Sequence, residues 1–431
     1  MRRLAVLFLF ASFTACAPAP DDPELERLAA ESARTSDVDT LRNAIAALRA
    51  ATRWQDRVAI AKKFMNDTAY SGGFPIVDGG RLVFVHFDER GEGSFSVAGD
   101  FNGWDAAALR LNQPVAGFPF YYRVVMAEGN LAGLRYKLVR GGQTWFADPA
   151  ARSFDWDSYG EISYIAPPAD RSHIERWPGF GVGSRLTPRD IFVYVPAAEG
   201  PLPVLYAHDG QNLWPRGWQA KQAADQAIDA GLRPFLLVAI PNTPARMSEY
   251  THVEDDIGIV TGGRGGIYVD FLADALKPFI DTRYPTDPAR EQTGILGSSL
   301  GGLISLYAVW RRPDVFAHGA SFSGTVGWGS IGRAEETVVD LYAASAPADV
   351  TLYVDSGGGP GDGCVDTDGD GLHDDGDGSD NYCENLDFLD VVHDLDIPVV
   401  EVWDEGAPHN EAAWAERLPG ALWLWFPGPA E

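Results

Sequence analysis

The chain of 431 residues has little sulfur and little positive charge. It contains only 3 Cys and 4 Met, and its 34 Lys and Arg residues face 61 Asp and Glu, for a formal net charge of −27. Phosphate binding depends on a high density of Lys and Arg, so this balance excludes nucleic acid as a partner. The composition is 45% hydrophobic. A chain of this length can bury a core that needs neither a disulfide framework nor a metal for stability.

Apolar runs long enough to span a bilayer are also lacking. The run from Leu4 to Phe13 follows two arginines and has about half of the roughly 20 residues that a membrane-spanning helix needs. Residues 1–16 therefore indicate a signal peptide. Its end, Phe13-Thr14-Ala15-Cys16, resembles a bacterial lipobox, with plain secretory cleavage as the alternative. The resemblance implies a lipid anchor on Cys16 and, with Ala17 next, export to the outer membrane or periplasm of a Gram-negative bacterium.

The first third of the chain changes pattern twice. Residues 17–24 are a Pro-rich tether, and residues 25–70 have the apolar spacing of amphipathic helices. Residues 71–168 consist of short alternating runs separated by Gly, Asn and Asp, which predicts a small β-sandwich.

The stretch Val97-Ala98-Gly99-Asp100-Phe101-Asn102-Gly103-Trp104-Asp105 resembles a loop of early-set, glycogen-binding-like modules. Sugar binding does not follow from this resemblance alone, although Trp104 and Trp145 could stack against sugar rings. Packing of these two side chains in a core or between domains is the alternative.

From residue 180 to residue 431, apolar strand candidates alternate with helical stretches such as 266–282 and 300–311. This alternation predicts an α/β domain, a mostly parallel sheet with helices on both faces. The strand candidates are Ile191–Val195, Val204–Ala207, Phe235–Ile240, Thr293–Leu296, Thr351–Val354 and Val399–Trp403.

One of these strands is followed by Gly297-Ser298-Ser299-Leu300-Gly301-Gly302 and then by a helical stretch. A Ser with Gly two residues before and two residues after it, between a strand and a helix, is typical of a nucleophile elbow. The turn is tight, so bulky side chains at the two flanking positions would clash. Only Ser299 has Gly at both positions, because Ser298 has Leu at both. Ser299 is therefore the predicted nucleophile.

A nucleophilic serine needs a base and an acid, which follow it in the order Ser, acid, His in α/β-hydrolases. His409 lies in the loop after the last apolar strand and is the predicted base. The acid should follow the strand Thr351–Val354. Asp355 stands too early in that loop, and Asp362 is narrowly preferred over Asp380. For the oxyanion, the predicted N–H donors are Leu300 and Gln211.

Several motifs together, namely His208-Asp209-Gly210-Gln211-Asn212, Glu249-Tyr250-Thr251, 297–302 and 406–414, resemble the enterochelin-esterase or esterase-D-like branch of α/β-hydrolases. The resemblance implies that fold and a serine ester hydrolase without a catalytic cofactor. Its substrate would be an acylated glycan, a siderophore or another small ester. The same site could transfer the acyl group to an alcohol, and a surface carbohydrate-binding protein is the alternative from another class.

An Asp-rich insert, residues 362–380, interrupts the acid loop. Its spacing matches a calcium-binding loop, whereas a merely solvated acidic loop is the alternative. The predicted ligands are Asp366, Asp368, Asp370, Leu372, Asp374 and Asp377. Cys364 and Cys383 flank the insert, and an isolated pair in an oxidising compartment indicates a disulfide rather than two free thiols.

Overall fold

The computed structural model describes residues 37–426 except 79, 90, 92, 127–128, 331–335, 362, 368, 370 and 375–379. The predicted signal peptide with Cys16, the tether and residues 25–36 lie outside the described residues, and so does Asp362. Within the described ranges, no helix combines the length and the apolar character that crossing a bilayer requires.

The described chain begins with two helices, α1 (Asp37–Ala50) and α2 (Trp54–Tyr70), which pack on a three-stranded antiparallel sheet. Its strands are β1 (Ile76–Asp78), β2 (Arg81–Phe87) and β4 (Phe120–Met126). Because side chains alternate along a strand, the central β2 buries both of its faces. Val83 and Val85 contact the helices, whereas Leu82 and Phe84 face the next layer.

That next layer consists of β3 (Phe95–Gly99), β5 (Arg135–Arg140), β6 (Thr144–Phe146), β7 (Ser153–Asp157) and β8 (Gly160–Tyr164). The core between the two sheets contains Phe84, Val97 and Tyr136. The Tyr136 hydroxyl donates to Asp148 at 2.8 Å. A small N-terminal sheet region is therefore present, while its relation to early-set modules stays a prediction.

Strand β9 (His173–Phe180) joins the N-terminal region to the rest of the chain. It pairs with β7 on one side and with β10 (Arg189–Val195) on the other. One sheet of 13 strands thus runs through both regions. The stretch between the two predicted domains, which end at residue 168 and begin at residue 180, therefore contains a strand that pairs with both regions.

The sheet continues in the order β10, β12, β11, β15, β16, β17 and β18, parallel throughout except for β10. This arrangement, with helices on both faces, confirms the predicted α/β-hydrolase fold. The strands of this region, including the separate pair β13 and β14, are β11 (Val204–His208), β12 (Leu236–Ile240), β13 (Glu254–Asp256), β14 (Val260–Gly262), β15 (Thr293–Ser298), β16 (His318–Phe322), β17 (Thr351–Ser356) and β18 (Val399–Trp403).

The helices bury the two faces of the sheet. Consecutive residues of β15 point to opposite sides, since Ile295 joins one core cluster and Leu296 the other. A π-helical turn (Leu272–Leu276) separates α5 from α6. The helices are α3 (Ala220–Asp229), α4 (Arg246–Glu249), α5 (Gly265–Phe271), α6 (Lys277–Arg283), α7 (Leu300–Arg311), α8 (Val338–Ala344), α9 (Tyr382–Asp394) and α10 (Glu411–Trp425).

The parallel strands all end at the same edge of the sheet. The loops that follow β11, β15, β17 and β18 carry the site residues predicted from the sequence. In open α/β sheets, ligands bind at this carboxyl edge.

Candidate active site

Ser299 occupies a sharp turn between β15 and α7. Its backbone angles are φ 57° and ψ −125°, a left-handed conformation that costs a non-glycine residue about 1–3 kcal/mol. A Cβ at Gly297 would lie 2.6 Å from the Gly301 carbonyl oxygen, and a Cβ at Gly302 would lie 2.5 Å from Ser321 Oγ. Gly297 is therefore needed for this turn to close, and Gly302 for close packing of α7 against β16. A Cβ at Gly301, two residues after Ser299, would lie 3.3 Å from His208 Cβ.

The Ser299 side chain is half-buried. Its Oγ lies 3.5 Å from Thr325 Oγ1, which accepts a hydrogen bond from Asn381 Nδ2 at 3.2 Å. Asn381 also donates to the carbonyl oxygen of Ser323 at 2.9 Å. These bonds connect the nucleophile elbow to the residue next to Asp380.

His409 and Asp380 form a close pair. His409 Nδ1 lies 2.5 Å from Asp380 Oδ1, and the side chain of Asp380 is 2% exposed against 38% for that of His409. Burial would raise the pKa of Asp380, but hydrogen bonds from His409, Ser323 Oγ and the Gly357 N–H outweigh it and lower this pKa. Asp380 is thus held as a carboxylate beneath a half-exposed imidazole.

The loop that carries His409 is fixed by its neighbours. Asn410 caps α10, because its side chain accepts hydrogen bonds from the N–H groups of Ala412 and Ala413. The Trp414 ring meets the His409 ring edge-on, with centroids 5.0 Å apart. The His409 side chain remains 38% exposed.

The other two carboxylates considered for the acid differ in what the structure describes. Asp362 lies outside the described residues, so its candidacy stays a prediction. Asp355 is only 1% exposed, and its Oδ2 lies 3.0 Å from Arg417 Nε. Burial, opposed by Arg417, raises the pKa of Asp355 to about 7. Among the described carboxylates of this loop, Asp380 is the one that contacts His409.

Leu300, one predicted oxyanion donor, is the first residue of α7, where a helix has N–H groups without intrahelical acceptors. Gln211 lies in a 3-10 turn (Gly210–Asn212) directly after β11, which is the parallel neighbour of β15. A Cβ at Gly210 would lie 2.5 Å from the Ile240 nitrogen, so the turn needs Gly there to pack against β12. Both predicted donors therefore lie at the carboxyl edge of adjacent strands.

Asp209 anchors this turn in a way that the sequence alone did not indicate. Its carboxylate accepts two hydrogen bonds from Arg246, at 2.9 and 2.7 Å, and one from Asn242 Nδ2 at 2.6 Å. Asn212 donates to Glu411 Oε1 at 3.1 Å, which links the turn to the first residue of α10. The predicted oxyanion loop and the histidine loop are thereby held together.

The two ends of the insert are linked covalently, because Cys364 and Cys383 form the predicted disulfide. Two of the predicted calcium ligands accept loop hydrogen bonds: Asp366 from the N–H groups of Gly369 and Gly371, and Asp374 from Thr367. Leu372 is partly buried against the catalytic core. Within the described ranges there is no group of three or more metal-binding side chains. The other predicted ligands, Asp368, Asp370 and Asp377, lie outside the described residues.

Comparison with known proteins gives a family and several relatives. The family described as "Putative esterase" matches residues 185–423, just over half of the chain. The siderophore triacetylfusarinine C esterase of Aspergillus fumigatus is 28% identical over 142 residues, 31% of this chain and 47% of that protein. The uncharacterised protein YbbA of Bacillus subtilis is 28% identical over 145 residues, 32% of this chain and 57% of that protein. The chain thus spans about half the length of these curated relatives.

Among solved structures, the enterobactin esterase of Shigella flexneri is 15% identical with a TM-score of 0.42, and the match covers 80% of this chain and 93% of that one. The family assignment rests on the match over residues 185–423 rather than on this distant likeness. The chain belongs to this esterase family.

Proposed function

We propose that the chain hydrolyses carboxylic esters through a triad of Ser299, His409 and Asp380. The observation that carries the proposal is the 2.5 Å contact between His409 Nδ1 and Asp380 Oδ1, at the sheet edge where Ser299 follows β15. A carboxylate can only accept, so Nδ1 carries the proton in this contact, and in the neutral imidazole Nε2 then has the free lone pair. The pair therefore prepares Nε2 to act as the base for the serine hydroxyl.

In the proposed reaction, Ser299 Oγ attacks the ester carbonyl while His409 Nε2 takes its proton. His409 then gives that proton to the leaving alcohol, and the acyl group stays on Ser299. Water, activated by the same imidazole, releases the acid. The N–H groups of Leu300 and Gln211 would stabilise the negative oxygen of each tetrahedral intermediate, a contribution that typically amounts to ~10²–10³ in rate per donor.

The proposed substrate class is an acylated glycan, a siderophore or another small ester. Support for the siderophore comes from a relative that is named for this activity, the fungal triacetylfusarinine C esterase. If Cys16 is lipidated as its lipobox resemblance implies, the enzyme would act on these substrates from a membrane surface outside the cytoplasm.

The experiment that tests the proposed function is turnover of a panel of p-nitrophenyl esters by the wild type and by Ser299→Ala. We expect turnover by the wild type that the variant lacks. Turnover by both proteins would exclude Ser299 as the nucleophile, and turnover by neither would favour a protein that only binds.

Glycan binding is a second candidate function, supported by a cavity of about 590 Å³ on the N-terminal sheet region. It is lined by Trp104 and the 43% exposed Trp145, whose ring centroids are 6.4 Å apart, and by Arg135, Lys137 and Asp157. Indole faces beside charged hydrogen-bonding groups suit a sugar ring.

We expect Trp104→Ala and Trp145→Ala each to weaken retention on insoluble glycans by about tenfold, since each removes one stacking face. The matched control is Trp423→Ala, which removes a 41% exposed indole from α10. If all three variants bind as the wild type does, the cavity is not a glycan site.

We also propose that the insert binds calcium as a structural ion. Ligand binding to the folded state alone raises the free energy of unfolding, so calcium is expected to raise the melting temperature and chelation to lower it. Asp366→Asn with Asp374→Asn should abolish this response in calorimetry, whereas Asp170→Asn, at a 79% exposed side chain, should keep it. A melting temperature independent of calcium would show that the insert is only an acidic loop.

A further inference from the structure

Behind the His409–Asp380 pair lies a buried polar cluster that the triad chemistry does not use. It contains Ser323, at the end of β16, together with Asp355, Trp414 and Arg417. The side chains of Arg417 and Asp355 are 5% and 0% exposed. Polar groups buried this deeply are costly unless each has partners, so their arrangement is tightly determined.

The direction of one hydroxyl proton follows from this arrangement. Ser323 Oγ lies 3.1 Å from Trp414 Nε1 and 3.0 Å from Arg417 NH2, and both of these nitrogens can only donate. A hydroxyl has two lone pairs and one proton. With both lone pairs occupied, the proton is directed to Asp380 Oδ2, which lies 2.6 Å away.

The same cluster fixes the backbone around this hydroxyl. The N–H of Ser323 donates to Asp355 Oδ1 at 3.1 Å and to the Asp355 carbonyl oxygen at 2.9 Å. Ser323 and Asp380 have φ values of 47° and 55°, left-handed conformations that persist only where the surroundings enforce them. Asp380 is thus held in position on the side away from His409, by Ser323, which Arg417 contacts in turn.

We propose that Arg417 is a positioning residue for the reaction. Together with Trp414 it fixes the Ser323 hydroxyl, which holds the Asp380 carboxylate against His409 Nδ1. This inference rests on the proposed function, because it assigns Asp380 and His409 to the triad.

Arg417 also places a positive charge behind the pair. Its NH2 lies 3.9 Å from Asp380 Oδ2, and its Nε forms an ion pair with Asp355 at 3.0 Å that lacks hydrogen-bond alignment. Removal of this cation would therefore change the charge around the Asp380–His409 pair. The titratable and charged groups that face Arg417 or its partners are Asp355 and Tyr353 of β17, Asp380, Asp404 and His409.

Arg417→Met tests both contributions through the pH profile of kcat/KM for a p-nitrophenyl ester. We expect turnover to fall at least about tenfold because Asp380 is less well oriented. We also expect the acid limb to move to higher pH by about half a unit or more, because the imidazolium becomes more stable without the cation. Arg417→Lys keeps the positive charge but loses the planar guanidinium and its several N–H donors. Turnover should therefore fall, while the acid limb of the kcat/KM profile stays at the same pH.

Removing a buried cation can unfold a protein, because it leaves its carboxylate partner unpaired. The double variant Asp355→Asn with Arg417→Met removes the ion pair as a unit and should fold, with the same displaced limb. Arg311→Met is the matched control: it removes a cation paired with Asp270 at the far end of α7, about 18 Å along the helix from Ser299. Its acid limb should equal that of the wild type.

The proposal would be overturned if the acid limb stayed at the wild-type pH in both Arg417→Met and the double variant. A fall in turnover alone would not support it, because a purely structural role of Arg417 also predicts a fall in turnover with an unmoved limb. If Ser299→Ala retains turnover, the proposed function is wrong. If Ser299→Ala is inactive and the limb is unmoved, only the role of Arg417 is wrong.

Discussion

Ser299→Ala is expected to lower kcat for a p-nitrophenyl ester on the order of 10⁵-fold or more, because no acyl-enzyme can form without the hydroxyl. The residual rate should still exceed that of water, since the oxyanion donors and the binding site remain. The left-handed backbone at this position should tolerate Ala about as well as Ser, so the melting temperature should change little.

The neighbouring hydroxyl provides the matched control. Ser298 is the last residue of β15 and is 6% exposed, and its substitution by Ala removes one buried hydroxyl next to the elbow without touching Ser299. We expect Ser298→Ala to keep wild-type turnover. If the two variants lost activity equally, the elbow would be sensitive to any change and Ser299 would have no special role.

The sequence predicts the catalytic half of the fold well because its signals are local. Helix α7 has the predicted bounds of residues 300 and 311, and β18 the predicted bounds of Val399 and Trp403. Buried parallel strands are short apolar runs, and these can be recognised without knowing their neighbours. The π-helical turn at Leu272–Leu276 was not predicted, since its apolar residues are also compatible with an uninterrupted α-helix.

Pairing between distant segments is what the sequence could not provide. Strand β9 was not among the predicted strands, and its pairing with both β7 and β10 merges two predicted domains into one sheet. Strand register and partner choice depend on tertiary packing, which local patterns do not encode.

The candidate site divides in the same way. Ser299 and His409 could be proposed from the sequence because a glycine pattern and a chain order mark them. Arg417 could not, because it lies eight residues beyond His409 on a helix whose sequence gives no catalytic signal, and only the fold brings it to Ser323. Asp380 was one of two candidates, because residues 363–379 interrupt the acid loop. The sequence does not show how the two ends of this insert come together, and hence which Asp reaches His409.

Asp380→Asn is expected to lower kcat about 10⁴-fold while leaving the binding of ester substrates largely unchanged. An amide in this place can donate to Nδ1, which favours the tautomer with the proton on Nε2 and leaves His409 without a lone pair for Ser299. The amide also cannot stabilise the imidazolium by charge. The measurement is kcat and KM for a p-nitrophenyl ester across pH 6 to 9, with circular dichroism to confirm folding.

Asp362→Asn separates the two acids that the sequence left open. The Cys364–Cys383 disulfide closes the insert, and Asp380, which follows the insert, accepts a hydrogen bond from the N–H of Gly357 at 2.5 Å and contacts His409. The residue that completes the triad can therefore follow the insert rather than precede it. We expect Asp362→Asn to keep turnover. The reverse result, an active Asp380→Asn and an inactive Asp362→Asn, would make Asp362 the acid and leave Asp380 as a structural partner of the His409 loop.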